Sequence, residues 1–182
     1  MLRDAKTVPK VLRIHTYPDP VLRAKAEPVD EIDGEIQQLV DDMAETMYAA
    51  PGIGLAANQV GVLKRVIVFD VSPKEKARDL SILINPEIIE AEGSITLEEA
   101  CLSILDYSAD VTRSERVKVR GLDREGNLVE IEAEGLKAVC LQHEIDHLDG
   151  ILFIDHISSL KRALYKKRLK KMGKKRAKAD HG

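Results

Sequence analysis

The chain has 182 residues, 44% of them hydrophobic and 32% charged, which suits one hydrophobic core that holds together without disulfides or a partner. Its longest apolar runs, such as Val66 to Phe69 and Ile151 to Ile154, fall far short of the roughly 20 residues a membrane helix needs, so no membrane role is expected. The net charge of −3 hides a division, because Ser158 to Gly182 hold eleven Lys/Arg against Asp180 alone: that end carries +10 and residues 1–157 carry −13. The N-terminus, MLRDAKTVPK, has no apolar core of a signal peptide, and two cysteines make no disulfide framework, so a cytoplasmic monomer is expected.

In chain order, Pro18, Pro20 and Pro28 forbid a continuous helix over residues 14–29 and predict an irregular arm. A helix follows, capped by Asp30, striped by Ile32, Ile36, Leu39, Val40, Met43 and Met47, and ended by Pro51-Gly52. The β-branched runs RVIVFDV, SILINPEIIEAEG and SITLEEACLSIL each read as a strand. Alternation on both sides of Arg124 to Asn127 predicts a hairpin. The period then changes: Leu136 to Leu148 place Leu136, Val139, Cys140, His143 and His147 on one helical face, between Gly135 and Gly150. ILFI reads as a strand, and a final helix from about Ser158 to Met172 is expected to turn Leu160, Leu164 and Leu169 inward and its lysines outward. The expectation is an α+β domain over residues 1–160, short antiparallel strands packed around a central helix, with a basic C-terminal helix and tail over 158–182.

That central helix carries His143-Glu144-Ile145-Asp146-His147, an H-E-x-x-H pattern. Four residues apart on a helix, the two imidazoles stand one above the other and can share a divalent ion, with Glu144 beside it to handle a proton. A catalytic site also needs a third protein ligand. The H-E-x-x-H-x-x-G-x-x-H pattern fits as far as Gly150 and then places Phe153 where a histidine belongs, and no Glu follows Glu144 to serve as a later ligand. Asp155 and His156 stay as downstream candidates and Cys101 as an upstream one. Cys140 lies roughly 7.5 Å along the helix axis from the level of the ion, too far for its short side chain, and is assigned to the pocket wall.

Three segments, GIGLAANQ (Gly52 to Gln59), EACLS (Glu99 to Ser103) and QHEIDH (Gln142 to His147), in this order, resemble the peptide deformylases. The resemblance runs from the Pro-rich arm to Leu160, with one departure: Ala100 stands where that family has glycine. It implies Cys101, His143 and His147 as metal ligands, and Glu144 as acid/base. It also implies Gln59 with the backbone N–H of Leu102 as the donors to the formyl oxygen. The implied reaction removes the formyl group from N-formylmethionine on new proteins by metal-bound hydroxide. The implied cofactor is one divalent ion, Fe²⁺, with Zn²⁺, Ni²⁺ or Co²⁺ able to substitute. If that glycine adopts a backbone conformation closed to alanine, the strand must shift slightly; Cys101 is retained, and metal affinity and donor geometry are the features this departure would touch.

Gly52 to Ala57 imitate a dinucleotide fingerprint, but a helix precedes the glycines and a strand follows, the reverse of that motif, so nucleotide binding is rejected. The glycines are expected instead to expose a backbone edge at Ile53 and Gly54 on which a short peptide pairs as an added strand. Leu136, Val139 and Cys140 would form an apolar pocket for the methionine side chain. The basic tail suits a polyphosphate surface, for which the resemblance implies ribosomal RNA, the alternative being a terminus that is simply solvated. Two rivals are a peptidase of the same metal type and a ribosome-binding module with a structural metal. The first lacks its downstream ligand, and the second needs a closed set of four ligands.

Overall fold

The structure is a computed structural model and describes residues 7–179. Its arm is irregular as expected, apart from one 3-10 turn at Pro20–Arg23 whose first turn is capped by the Asp19 side chain. The arm lies along helix α1 (Gly34–Ala49), where Asp42 and Thr46 accept hydrogen bonds of 2.8 Å each from the backbone N–H groups of Lys10 and Leu12. Asp33, not Asp30, caps α1, its carboxylate accepting from Ile36 N at 3.0 Å. The apolar stripe then does its expected work: Ile36, Val40, Met43 and Met47 pack against Val66, Val68 and Ile84.

Five strands make one antiparallel sheet, in the order β1 (Gly54–Ala56), β2 (Val66–Phe69), β3 (Ser81–Glu92), β6 (Arg116–Leu122) and β7 (Leu128–Glu134). The β6–β7 hairpin is as predicted, its turn closed by Asp123, whose Oδ1 accepts from Glu125 N and Asn127 N. The segment SITLEEACLSIL is not one strand. It reverses at Leu102-Ser103, so that β4 (Ile95–Cys101) pairs with β5 (Ile104–Arg113) as a separate two-stranded sheet. The reversal is anchored from outside the hairpin, because Tyr17 N donates to Ser103 O at 2.8 Å. No local turn signal announces it.

Helix α2 (Leu136–Leu148) occupies the predicted span. Leu141 and Leu148 bury against Ile67, Leu83 and Val119 of the large sheet, so one face of α2 is fixed by apolar packing. Its C-terminus stops at Gly150, where φ is +72° and an added Cβ would lie 2.5 Å from Arg23 O. The ILFI run is not a strand: Phe153–Asp155 form a 3-10 turn, held because Asp155 takes Arg23 at 2.6 and 3.0 Å and Leu152 N at 2.9 Å. Leu152, Phe153 and Ile154 bury with Leu22 and Ile104 in a third apolar cluster.

Helix α3 (Ser159–Ala179) runs past the predicted end, and residues 180–182 of the tail lie outside the described residues. Its inward face is Tyr165 with Leu169, packed on Tyr17 and Tyr107, whereas Leu160 and Leu164 are 69% and 58% exposed. The expected leucine stripe is thus displaced by one aromatic anchor, since only a short stretch of α3 touches the body. No helix of the described residues is long and apolar enough to cross a membrane.

The loop after β2 hangs on Asp70, which accepts from Tyr48 Oη at 2.7 Å, Ser72 N at 2.9 Å, Ser72 Oγ at 2.5 Å and Asp79 N at 2.9 Å. Burial pushes this carboxyl up, but the hydrogen bonds from Ser72, Tyr48 and Asp79 outweigh it and hold it at about 2. A folded value below that of the unfolded chain means that the stabilisation is complete above pH of about 4 and is lost as pH falls toward 2. Acid unfolding followed by circular dichroism should therefore fall off more steeply between those limits in the parent than in Asp70→Asn.

Candidate metal centre and its cleft

Three elements converge on one point. Helical spacing on α2 brings the Nε2 atoms of His143 and His147 to 3.2 Å, with the rings edge to face, and the end of β4 sets Cys101 Sγ 3.3 Å from His147 Nε2. All three candidate ligand atoms lie within 4.8 Å of one another. Donors held at about 2.0–2.3 Å from a tetrahedral ion are roughly 3.3–3.7 Å apart, so the triangle fits a divalent metal. Asp155 and His156 do not join it: Asp155 binds Arg23, and His156 Nε2 lies 2.8 Å from Asp146 Oδ2.

The electrostatics point the same way. Burial, then the charge on His143, holds His147 well below the ordinary imidazole range, which leaves it neutral with a lone pair to give. Burial also pulls His143 down, but its contacts with Cys101 and Glu99 outweigh this and push it well up. The two imidazoles therefore differ, His143 drawn toward its charged form and His147 held neutral. His143 Nδ1–H donates to Glu99 Oε1 at 2.8 Å, which turns Nε2 toward the other two donors.

Glu144 reaches the same point from the next position on α2. It is buried, its Oε2 has no hydrogen-bond partner among the described residues, and burial raises its carboxyl to about 7. An unpartnered buried carboxylate oxygen is costly unless it meets a ligand or water. Gly54 makes room for it, since a Cβ there would lie 2.5 Å from Glu144 Oε1. The need for glycine at this position is close approach rather than backbone freedom.

Gln59 sits in the 3-10 turn Ala57–Val60 that follows β1. Its Oε1 accepts from Ala56 N at 2.9 Å, so its amide N–H groups face Ser103 Oγ at 3.1 Å and Cys101 Sγ at 3.5 Å. Leu102 follows Cys101 in the turn and lines the same cleft. The cleft encloses about 360 Å³ and is walled on its apolar side by Leu136, Val139 and Cys140. Burial pushes the Cys140 thiol up; it lies 3.6 Å from Ile53 O and outside the Cys101–His143–His147 cluster. Ile53 and Gly54 form the facing rim, and β1 is an edge strand with its outer side unpaired by the sheet. Across the cleft runs β4, which pairs only with β5. Ala100 has no positive φ, so the backbone here does not call for glycine, although the register slips between Ala100 and Cys101.

Apart from Asp155 and His156, the residues singled out in the sequence thus meet in or beside one cleft. Sequence reasoning missed Ser103, which holds the Gln59 amide, and Arg113, which holds Glu99. The available signal was alternation: Glu99 and Arg113 fall on the same face of the β4–β5 pair, with Leu97 and Val111 between them.

An α+β domain whose buried helix offers His-Glu-x-x-His beside a cysteine and an apolar cleft is the build of a metal-dependent hydrolase. Residues 11–163 match the family model of polypeptide deformylase. The peptide deformylase of Thermodesulfovibrio yellowstonii is 59% identical over 160 residues, covering 88% of this chain and 97% of that one, and that of Alkalilimnicola ehrlichii is 56% identical over 162 residues, covering 89% and 90%. Among solved structures, a peptide deformylase from Legionella pneumophila superposes with a TM-score of 0.84 at 44% identity, covering 92% of this chain and 98% of that one. The Ehrlichia chaffeensis enzyme in complex with actinonin gives 0.84 at 43% identity, covering 90% and 98%. The chain belongs to the polypeptide deformylase family and is an enzyme.

Proposed function

We propose that this enzyme removes the formyl group from formylmethionine at the N-terminus of newly made proteins, with Cys101, His143 and His147 as its metal ligands. The observation that carries the reading is the unpartnered Glu144 carboxylate beside three convergent donor atoms, at the end of an apolar cleft. When bound, a divalent ion supplies Lewis acidity, lowering the pKa of a water and polarising an acyl oxygen. Iron(II) is the ion we assign, with Zn²⁺, Ni²⁺ and Co²⁺ able to take its place, because a thiolate with two imidazoles suits each of them.

The chain's own groups then divide the work. Glu144, with a carboxyl at about 7, takes a proton from the attacking water and hands it to the departing amine. The Gln59 amide and the Leu102 backbone N–H donate to the formyl oxygen as it gains negative charge. Ile53 and Gly54 on the free edge of β1 pair with the peptide backbone, while Leu136, Val139 and Cys140 receive the methionine side chain. Cys140 stays a neutral thiol in that wall, which suits an apolar guest.

The enzyme is assigned to the cytoplasm as a monomer, with α3 as its contact to ribosomal RNA. Support comes from α3 itself, which carries most of its Lys and Arg on exposed faces and packs on the body's apolar cluster through Tyr165 and Leu169.

Loaded anaerobically with Fe²⁺, the protein should release free amine from a formyl-Met tripeptide and not from its acetyl-Met counterpart. Release from neither, with one metal per chain bound, would overturn the reading. Gln59→Leu should lower turnover by about a hundredfold, as loss of one such donor does elsewhere, and leave metal content unchanged. Removing residues 173–182 should weaken co-sedimentation with ribosomes, and the difference from the full chain should shrink as salt rises; unchanged sedimentation would remove the ribosomal assignment.

A further inference from the structure

A line of buried and half-buried side chains leads away from the candidate metal centre. His143 Nδ1 meets Glu99 Oε1 at 2.8 Å, and Arg113 grips the same carboxylate with two donors, Nε to Oε2 at 2.7 Å and an Nη to Oε1 at 3.0 Å. Its other Nη donates to Asp146 Oδ2 at 2.8 Å, and that oxygen also receives His156 Nε2 at 2.8 Å. Glu99 and Arg113 side chains are each 5% exposed, Asp146 is 21% exposed, and His156 at the outer end is 37% exposed.

We infer that Arg113 is a positioning residue of the metal centre, fixing the plane of the Glu99 carboxylate and through it the direction in which His143 presents Nε2. This rests on the metal-ligand reading given above.

The geometry argues for position rather than mere adhesion. A carboxylate that only received the imidazole N–H could rotate about its last bond and swing the ring with it. The two-pronged guanidinium contact fixes both oxygens at once, which a point charge cannot do. Arg113 is itself fixed from the other side by Asp146, which lies on α2 between Glu144 and His147. The guanidinium therefore ties the strand pair β4–β5, which supplies Cys101, to the helix that supplies both histidines. It sets the third ligand and the first two in one frame. Outer partners of metal-bound histidines typically change metal affinity by 10- to 100-fold.

The test is metal retention. Protein loaded with Co²⁺ is challenged with excess chelator, and both the loss rate and the visible cobalt bands are recorded. Arg113→Lys keeps the charge and loses the fork, so cobalt should leave at least about tenfold faster, with altered bands. Asp146→Asn, which keeps the shape and removes one anchor of the guanidinium, should lose it severalfold faster and serves if Arg113→Lys does not fold. Arg65→Lys is the matched control, because Arg65 makes a comparable ion pair to Asp149 at the end of the same helix, at 2.9 Å. A purely structural role would lower the melting temperature in all three and leave cobalt retention alike. If neither Arg113→Lys nor Asp146→Asn exceeds Arg65→Lys in loss rate, the positioning role is overturned. A parent that holds no cobalt would overturn the metal-ligand reading itself, and this one with it.

Discussion

Burying polar groups in an apolar interior is expensive, and helix α2 buries three of them, His143, Glu144 and His147, within five residues. The surrounding structure answers that constraint. Of the eleven buried polar or charged side chains among the described residues, seven gather here: Gln59, Glu99, Ser103, Arg113, His143, Glu144 and His147. Glu99 satisfies His143, Arg113 satisfies Glu99, and Ser103 accepts from Gln59. Glu144 Oε2 has no hydrogen-bond partner among the described residues, although a single hydroxyl or amide would satisfy it. His147 Nδ1 is likewise unpartnered among the described residues, but Glu144 is the carboxylate of the cluster that no side chain holds, and a free carboxylate beside a cleft is what a proton-transfer group requires.

The same constraint explains why the two sheets are separate. A continuous sheet would satisfy the edges of β1 and β4 with each other and close the space above α2. Instead β4 leaves the large sheet and folds onto β5, carrying Cys101 to the far side of the cleft from Gly54. Free strand edges invite unwanted pairing. Here β1 is only three residues long and runs directly into a 3-10 turn, which keeps the exposed edge short.

Much of this was legible in the sequence because its signals are local. The spacing of His143 and His147 fixes their shared face, Gly135 and Gly150 bound the helix, and alternation marks the β6–β7 hairpin. What was not legible depends on distant partners. The reversal at Leu102-Ser103 is held by Tyr17 and Gln59, and the ILFI run becomes a 3-10 turn because Arg23 takes Asp155 from 132 positions away. Leu160 and Leu164 follow a helical period that would suit burial, yet the body offers α3 only one aromatic seat, at Tyr17 and Tyr107, and Tyr165 fills it. The cap lies at Asp33 and not at Asp30 because the helix begins only at Gly34, where the Asp33 carboxylate reaches Ile36 N.

Ala100 shows how a departure from a motif is to be weighed. The sequence raised the concern that a side chain here would strain the strand. The backbone conformation removes that concern, because no positive φ is required, and the residue side by side with it, Glu99, turns inward to His143 while Ala100 turns to the surface. The extra methyl therefore falls on the face opposite the Glu99–Arg113 contact and cannot disturb it directly. What it borders is the cleft, since Ala100 is among the residues of the β4 rim. In the proposed reading that rim lies beside the peptide backbone, so the consequence of this methyl belongs to how a substrate lies in the cleft.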